Sequence, residues 1–113
     1  MHEKDFLEIL ENNLSEESTW FLFILFEAGK PINKALLNDM ANEAYAERQS
    51  EKGLSTTELL IPSRHFLDIH TARLEGAGLV NVEILGRIRM YSITDLGKKL
   101  LNYKSEKKMI NRN

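Results

Sequence analysis

The side chains with most chemistry to offer lie between residues 62 and 93. Arg64, His65, Asp68, His70 and Arg73 fall within one amphipathic stretch, and Arg87 and Arg89 follow a glycine a little further on. Placed at 100° per residue, residues 62–77 divide into two faces. Leu67, Thr71 and Leu74 gather on one side, with Phe66 and His70 at its margin. His65, Ile69, Ala72 and Arg73 occupy the opposite arc, flanked by Asp68 and Glu75. Such a face suits a polyanion that also offers apolar contacts. In a DNA major groove His65 and Arg73 can donate to base edges or phosphates, while Ile69 and Ala72 can touch thymine methyl groups. Arg64 stands near the start of the stretch, where the positive end of a helix also favours a phosphate. Asp68 speaks against this reading, because a carboxylate in a groove repels phosphates unless it accepts from a cytosine amino group. The bland alternative for all these residues is a solvated helix face, and His70 reads as a half-buried histidine rather than a base reader.

The same residues do not assemble a catalyst. His65 and His70 are five positions apart and project in different directions, which fails the spacing of a helical metal pair. His65 and Asp68 can share a surface, but two ligands make no metal site. The sequence holds no glycine-rich phosphate loop, no nucleophile motif and no cysteine, so thiolate chemistry and disulfides are out of reach. The expectation is a non-enzymatic protein without metal or cofactor, suited to a reducing cytoplasm.

Residues 62–77 are predicted to form a helix that starts at Pro62 and stops at the glycines around Ala77. Leu79 to Leu85 and Ile88 to Ile93 read as two strands joined by a tight Gly86-Arg87 turn. That turn pairs Leu85 with Ile88 and Ile84 with Arg89. One face then carries Val80, Val82, Ile84, Tyr91 and Ile93, suited to packing on helices, with Arg89 near its outer end. The other face bears Leu85, Ile88 and Met90, more apolar than contact with DNA alone requires. Arg87 and Arg89 are projected at the tip.

Upstream, Phe6, Ile9, Leu10 and Leu14 recur at helical spacing over residues 3–13. Ser15 or Ser18 can cap a second helix, and Trp20 to Phe26 is apolar throughout, which predicts burial nearly all round and points to a dimer interface as well as to a core. Gly29 and Pro31 end it. Asn33 can cap a third helix with an inward stripe of Leu36, Leu37, Met40, Ala41 and Ala44. That helix can run on to Gly53, and Ser55 to Glu58 has the capping-box pattern for one extra turn. Thr94 can cap a last helix with Asp95 in its first turn. There Leu96, Leu100, Tyr103 and Ile110 form a stripe beside a run of lysines that includes Lys108, which reads as a solvated tail.

The phrase Arg73-Leu-Glu-Gly-Ala-Gly-Leu-Val80, the hairpin, and Tyr91-Ser-Ile-Thr-Asp-Leu-Gly-Lys-Lys-Leu-Leu101 together resemble winged helix-turn-helix transcription regulators of the MarR, PadR and ArsR kind. Phe23 to Leu37 is similar to the first two helices of those domains, so the resemblance covers most of residues 18–103. It implies a mainly α fold with a small β-hairpin. The winged-helix core would span 14–93, with extra helices at 3–13 and 95–110 and one domain over 1–113. It further implies binding to double-stranded DNA and transcription regulation as a homodimer, through a recognition helix at 62–77 and a basic wing at 79–93. Arg87 and Arg89 would reach the minor groove or the backbone. Phe6, Ile9 and Leu10, together with Leu96, Leu100 and Tyr103, would be the dimerisation residues. The sequence departs from the pattern at 47–60, where polar residues replace a short turn.

Composition bounds these expectations. At 113 residues and 13.0 kDa the chain is one small domain, with so little core that burying apolar surface in a dimer would help it. The net charge of −2 and pI near 5.9 disfavour a nucleic-acid binder. Divided at Ile61, however, residues 1–61 carry 5 Lys and Arg against 12 Asp and Glu, and residues 62–113 carry 10 against 5. A polyanion is steered by the local field, so one basic half is enough. The apolar run at 20–26 is far shorter than the roughly 20 residues that span a bilayer. The N-terminus lacks a signal-peptide pattern, and a soluble cytoplasmic protein is expected. Whether a small-molecule effector binds is not written in the residues; the rings of Trp20 to Phe26 could line a pocket, but they suit a core better. The rival reading is a winged helix that binds another protein and never DNA, favoured by the low pI, Asp68 and the apolar face of Leu85, Ile88 and Met90.

Overall fold

Ser15, Asn33 and Ser63 each turn a side-chain oxygen onto an amide of the next helical turn, and those three bonds set where successive helices begin. Ser15 Oγ accepts from the Ser18 amide at 3.2 Å, Asn33 Oδ1 from Leu36 at 2.8 Å, and Ser63 Oγ from Phe66 at 3.1 Å. In the computed structural model, which describes residues 2–111 and the side chains of residues 2–107, the elements run as follows. Helices α1 (Glu3–Asn12) and α2 (Glu16–Ala28) lead to a short strand β1 (Ile32–Asn33), then α3 (Lys34–Glu51) and α4 (Arg64–Gly76). Strands β2 (Val80–Leu85) and β3 (Ile88–Ile93) follow, and α5 (Asp95–Asn111) closes the chain. Mainly helical with a small antiparallel sheet in the order β1-β3-β2, the chain is a winged helix.

The core lies between α2, α3, α4, α5 and the inner face of the sheet, with Phe21, Leu22, Leu37, Leu74, Tyr91 and Leu100 almost wholly removed from water. Gly97 lets α5 approach the strands. A Cβ there would stand 2.5 Å from the Leu79 carbonyl oxygen and 2.6 Å from Ile93 Cγ1. Thr94 caps α5 as expected: its hydroxyl accepts from the Gly97 amide at 3.0 Å and donates to the Gly78 carbonyl at 2.8 Å.

Several expectations need correction. Helix α4 begins at Arg64 and not at Pro62, because Ser63 rather than the proline supplies the cap. Ser55 to Glu58 forms no helical turn. Ser55 Oγ accepts from the Thr57 amide at 3.3 Å and meets the Thr57 hydroxyl at 2.8 Å, so its oxygen is spent in a local turn. The insertion is anchored at its far end, where Leu60 and Ile61 are buried and Asn42 accepts from the Ile61 amide at 2.8 Å. Leu36 is exposed, and the inward side of α3 runs through Leu37 and Ala41, with Met40 and Ala44 partly buried. Strand β1 was not foreseen; two residues are too few to show a period, and Ile32 is a strand residue only because Tyr91 pairs with it.

Helix α2 is not buried all round within one chain. Phe21, Leu22, Ile24 and Leu25 face inward, whereas Phe23 and Phe26 are exposed. Helix α1 lies against α5, stitched by Lys99–Glu3 at 3.0 Å and Lys107–Glu11 at 3.5 Å. It buries Leu7, which the expected stripe omitted, and turns Phe6 and Ile9 outward. Leu10, Leu96 and Tyr103 pack partly on the core, and Leu100 is completely buried, so Leu100 has no surface left for a second copy. The side chains of Lys108 and Ile110 lie outside the described residues.

Candidate nucleic-acid interface

Helix α4 keeps the two faces that its wheel predicts. Leu67, Thr71 and Leu74 are buried, and the Thr71 hydroxyl donates to the Leu67 carbonyl at 3.0 Å. His65, Ala72 and Arg73 are exposed, with Ile69 half-buried beside them. His70 is more buried than its marginal place on the wheel suggests. Its Nδ1 lies 3.3 Å from both Ser15 Oγ and Ser18 Oγ, and its ring rests on Phe66 with centroids 4.3 Å apart. The N-terminal turn of α2 thereby fixes the middle of α4.

Burial pushes the His70 imidazole below its usual value near 6.5, Glu17 pulls it the other way, and Arg73 adds to the depression. The unfolded chain therefore binds this proton at higher pH than the folded one does. Stability is complete above the unfolded value of about 6.5 and is lost as pH falls through the lower folded value. Between about pH 7.5 and 5.5, thermal unfolding of the parent should fall further than that of His70→Gln. Equal losses would show that His70 does not carry the effect.

The hairpin adopts the expected register, Leu85 opposite Ile88, Ile84 opposite Arg89 and Val82 opposite Tyr91. Gly86 supplies the positive φ of 64° that the turn needs. Tyr91 is buried beneath the wing, but Ile84 extends past the helices and is 66% exposed. Leu85 and Ile88 are exposed on the other face and Met90 is half-buried.

The two wing arginines part company. Arg87 is exposed at the turn. Arg89 is not projected at the tip but bends back onto α4. Its Nη2 lies 2.8 and 3.1 Å from the Glu75 carboxylate oxygens, and its Nε donates to the Tyr91 hydroxyl at 3.2 Å. The Tyr91 hydroxyl first, and then Glu75, raise the proton affinity of its guanidinium. Two turns earlier on the same edge of α4, Asp68 Oδ1 accepts from Lys34 Nζ at 2.7 Å and from Arg64 Nε at 3.2 Å. The Lys34 ammonium, with help from Arg64, holds the Asp68 carboxyl below the usual carboxylate range. A cleft of about 240 Å³ separates these two clusters, with Thr71, Ala72 and Tyr91 on its walls.

Thus His65, Ile69, Ala72 and Arg73 share the outer side of α4, whereas Arg64 lies at the helix start on the Asp68 edge and is paired with Asp68, Arg87 stands at the wing turn, and Arg89 bridges wing and helix. The surface is a patchwork of carboxylates and cations. Lys34 was missed as a site residue. Its only sequence signal is its place as the first residue after the Asn33 cap, and a helix start next to α4 is visible only once the chain has folded.

A second hollow, of about 1060 Å³, lies among α2, α3 and α5. Its floor includes Trp20, Phe23, Phe26 and Tyr45, with Trp20 edge-on to Phe23 at 6.3 Å and to Tyr45 at 5.9 Å. Among the described residues no cluster of three or more His, Cys, Asp or Glu could hold a metal, and no helix is long and apolar enough to cross a membrane.

No protein-family model matches the sequence. The fold is similar to the crystal structure of RV1404 from Mycobacterium tuberculosis, with a TM-score of 0.63 and 20% identity. That likeness covers 94% of this chain and 62% of the other, so this chain spans less than two thirds of that one. Over 103 residues the sequence is 40% identical to the DNA-binding protein TubR of Bacillus cereus (strain ATCC 10987 / NRS 248), a match that covers 89% of this chain and 84% of that protein. Neither protein is named as one of the MarR, PadR or ArsR kinds that the sequence phrases resemble. At that identity over most of both lengths, the chain belongs to the family of the DNA-binding protein TubR.

Proposed function

We propose that this chain binds double-stranded DNA as a homodimer, with α4 in a major groove and the wing against the adjacent backbone, and that it regulates transcription by occupying a site near a promoter. On this reading it is a cytoplasmic binding protein and not an enzyme. The observation that carries it is that α4, with Arg73 exposed on its outer side, packs against the hairpin that bears the exposed Arg87 at its turn, so that both cations can serve one duplex. The family relationship to TubR supports the same reading. In a fluorescence-anisotropy titration with a mixed-sequence duplex, binding should be evident at low salt and should weaken linearly on a log–log plot as salt rises. Absence of binding at low salt would refute the proposal.

The homodimer is supported by apolar surface that one chain leaves uncovered, namely Phe6 and Ile9 on α1 and Phe23 and Phe26 on α2. A two-fold dimer would read a near-palindromic site with half-sites about 10 base pairs apart or a multiple of that. Sedimentation should give a dimer that Phe26→Glu converts to monomer; a parent sedimenting as monomer at micromolar concentration would exclude it.

One observation favours a protein partner instead. Ile84, Leu85 and Ile88 are all more than half exposed at the wing tip. A defined partner recovered by pull-down and lost on Ile88→Lys, together with no duplex binding, would establish that alternative.

A further inference from the structure

Asp68 and Glu75 stand two turns apart on one edge of α4, with Thr71 and Ala72 between them. Each grips cations brought from other parts of the chain. Glu75 holds Arg89 of β3 through both its oxygens, and Asp68 holds Lys34 from the start of α3 as well as Arg64 of its own helix. By contrast, neither Arg73 nor Arg87 has an ion pair among the described residues.

We propose that Asp68 and Glu75 determine how selectively the chain binds duplex DNA: they occupy Lys34, Arg64 and Arg89 in intramolecular ion pairs that a phosphate must displace. The inference rests on the duplex-binding reading above. A cation with no partner in the unbound protein releases counterions when it meets a phosphate, and this adds about 0.9 to the slope of log affinity against log salt. Arg89 taken from Glu75 behaves differently. The phosphate sheds its condensed cation, but the abandoned carboxylate attracts one of its own, so the exchange gains little affinity and little salt dependence. Binding to arbitrary sequence lives almost wholly on that counterion release and is curtailed most. At a preferred site the base contacts of the α4 face supply the additional energy, and the exchange then brings Arg89 into use.

The geometry also says what happens when the carboxylate goes. Tyr91 keeps its hydrogen bond from Arg89 Nε, and so Glu75→Gln leaves the guanidinium supported beside the wing while releasing its charge. Asp68→Asn does the same for Lys34 and Arg64.

The test is an anisotropy titration of the parent chain, Glu75→Gln, Asp68→Asn and Glu75→Gln with Arg89→Ala against one mixed-sequence duplex, each over a range of salt. Glu75→Gln should bind roughly three- to tenfold more tightly at low salt, with a slope steeper by about 0.9. Asp68→Asn should steepen it by up to about twice that. Adding Arg89→Ala to Glu75→Gln should return the slope to the parent value, a reversal that a merely structural change at position 75 would not produce. Normal parent binding with unchanged or shallower slopes in both single variants would overturn the proposal alone, since the carboxylates would then be orienting the cations rather than withholding them. A parent chain that fails to bind at low salt would remove the duplex-binding reading and this proposal together.

Discussion

Replacing Tyr91 with alanine is expected to cost about 3–5 kcal/mol, the range for removing a large buried ring. Tyr91 is 2% exposed and sits in the central strand, opposite Ile32 on one side and Val82 on the other. It reaches both cation clusters of the interface. Lys34 Nζ lies 5.9 Å from its ring centroid, the Arg89 guanidinium carbon lies 6.0 Å away, and the Arg89 Nε donates to its hydroxyl. A small domain has about 5–15 kcal/mol of stability in total, so the variant should lose a large part of its resistance to urea. Tyr91→Phe keeps the ring and loses one hydrogen bond to an exposed group, and most of the stability should survive. An unfolding free energy from urea titration for Tyr91→Ala within about 1 kcal/mol of the parent would show that the ring is not the support that β1, β3 and Arg89 share.

The second large effect is expected in DNA binding. Arg73 is exposed on the outer side of α4, opposite Leu67 and Thr71. If it reaches a base edge, Arg73→Ala should cost about 1–3 kcal/mol at the preferred sequence and much less on mixed duplex. Arg87 stands on the wing turn, where a backbone contact is the more natural use. Arg87→Ala should weaken binding about equally on every sequence and lower the salt slope by about 0.9. The two variants therefore separate reading from holding. Equal losses for Arg73→Ala on all sequences would make it a phosphate contact, and no change in slope for Arg87→Ala would remove the wing turn from the interface.

Much of this architecture is written in short-range signals. Ser15, Asn33 and Thr94 act as caps because a side-chain oxygen needs only the next turn to find its amide. The hairpin register follows from a two-residue turn and the alternation of Val80, Val82, Tyr91 and Ile93. The division of α4 into buried and outer faces follows from its 3.6-residue period.

What stayed hidden depends on contacts between elements. Arg89 and Glu75 are fourteen positions apart, and their pairing depends on the angle at which the wing leans on the helix. Lys34 meets Asp68 only because β1 pairs with β3 and sets the start of α3 beside α4. Leu60 and Ile61 end a polar stretch, and nothing local announces that Asn42 will hold them in the core. Apolar spacing on α1 predicted a helix correctly but not which edge of it would turn inward; Leu7 rather than Phe6 or Ile9 is buried in the helix that packs on α5. The same limit applies to the cationic surface. The arginines could be counted, but that Asp68 and Glu75 lie among them as partners rather than apart from them is a fact of the fold.

The central claim is that the outer face of α4 and the wing turn meet a duplex together. Amide chemical shifts of the full chain, followed by NMR as a mixed-sequence duplex is added at low salt, test it directly. The account predicts that the largest changes fall on residues 64–73 and 84–89, with the hollow among α2, α3 and α5 unaffected. Changes confined to that hollow, or to α1 and α5, would contradict it.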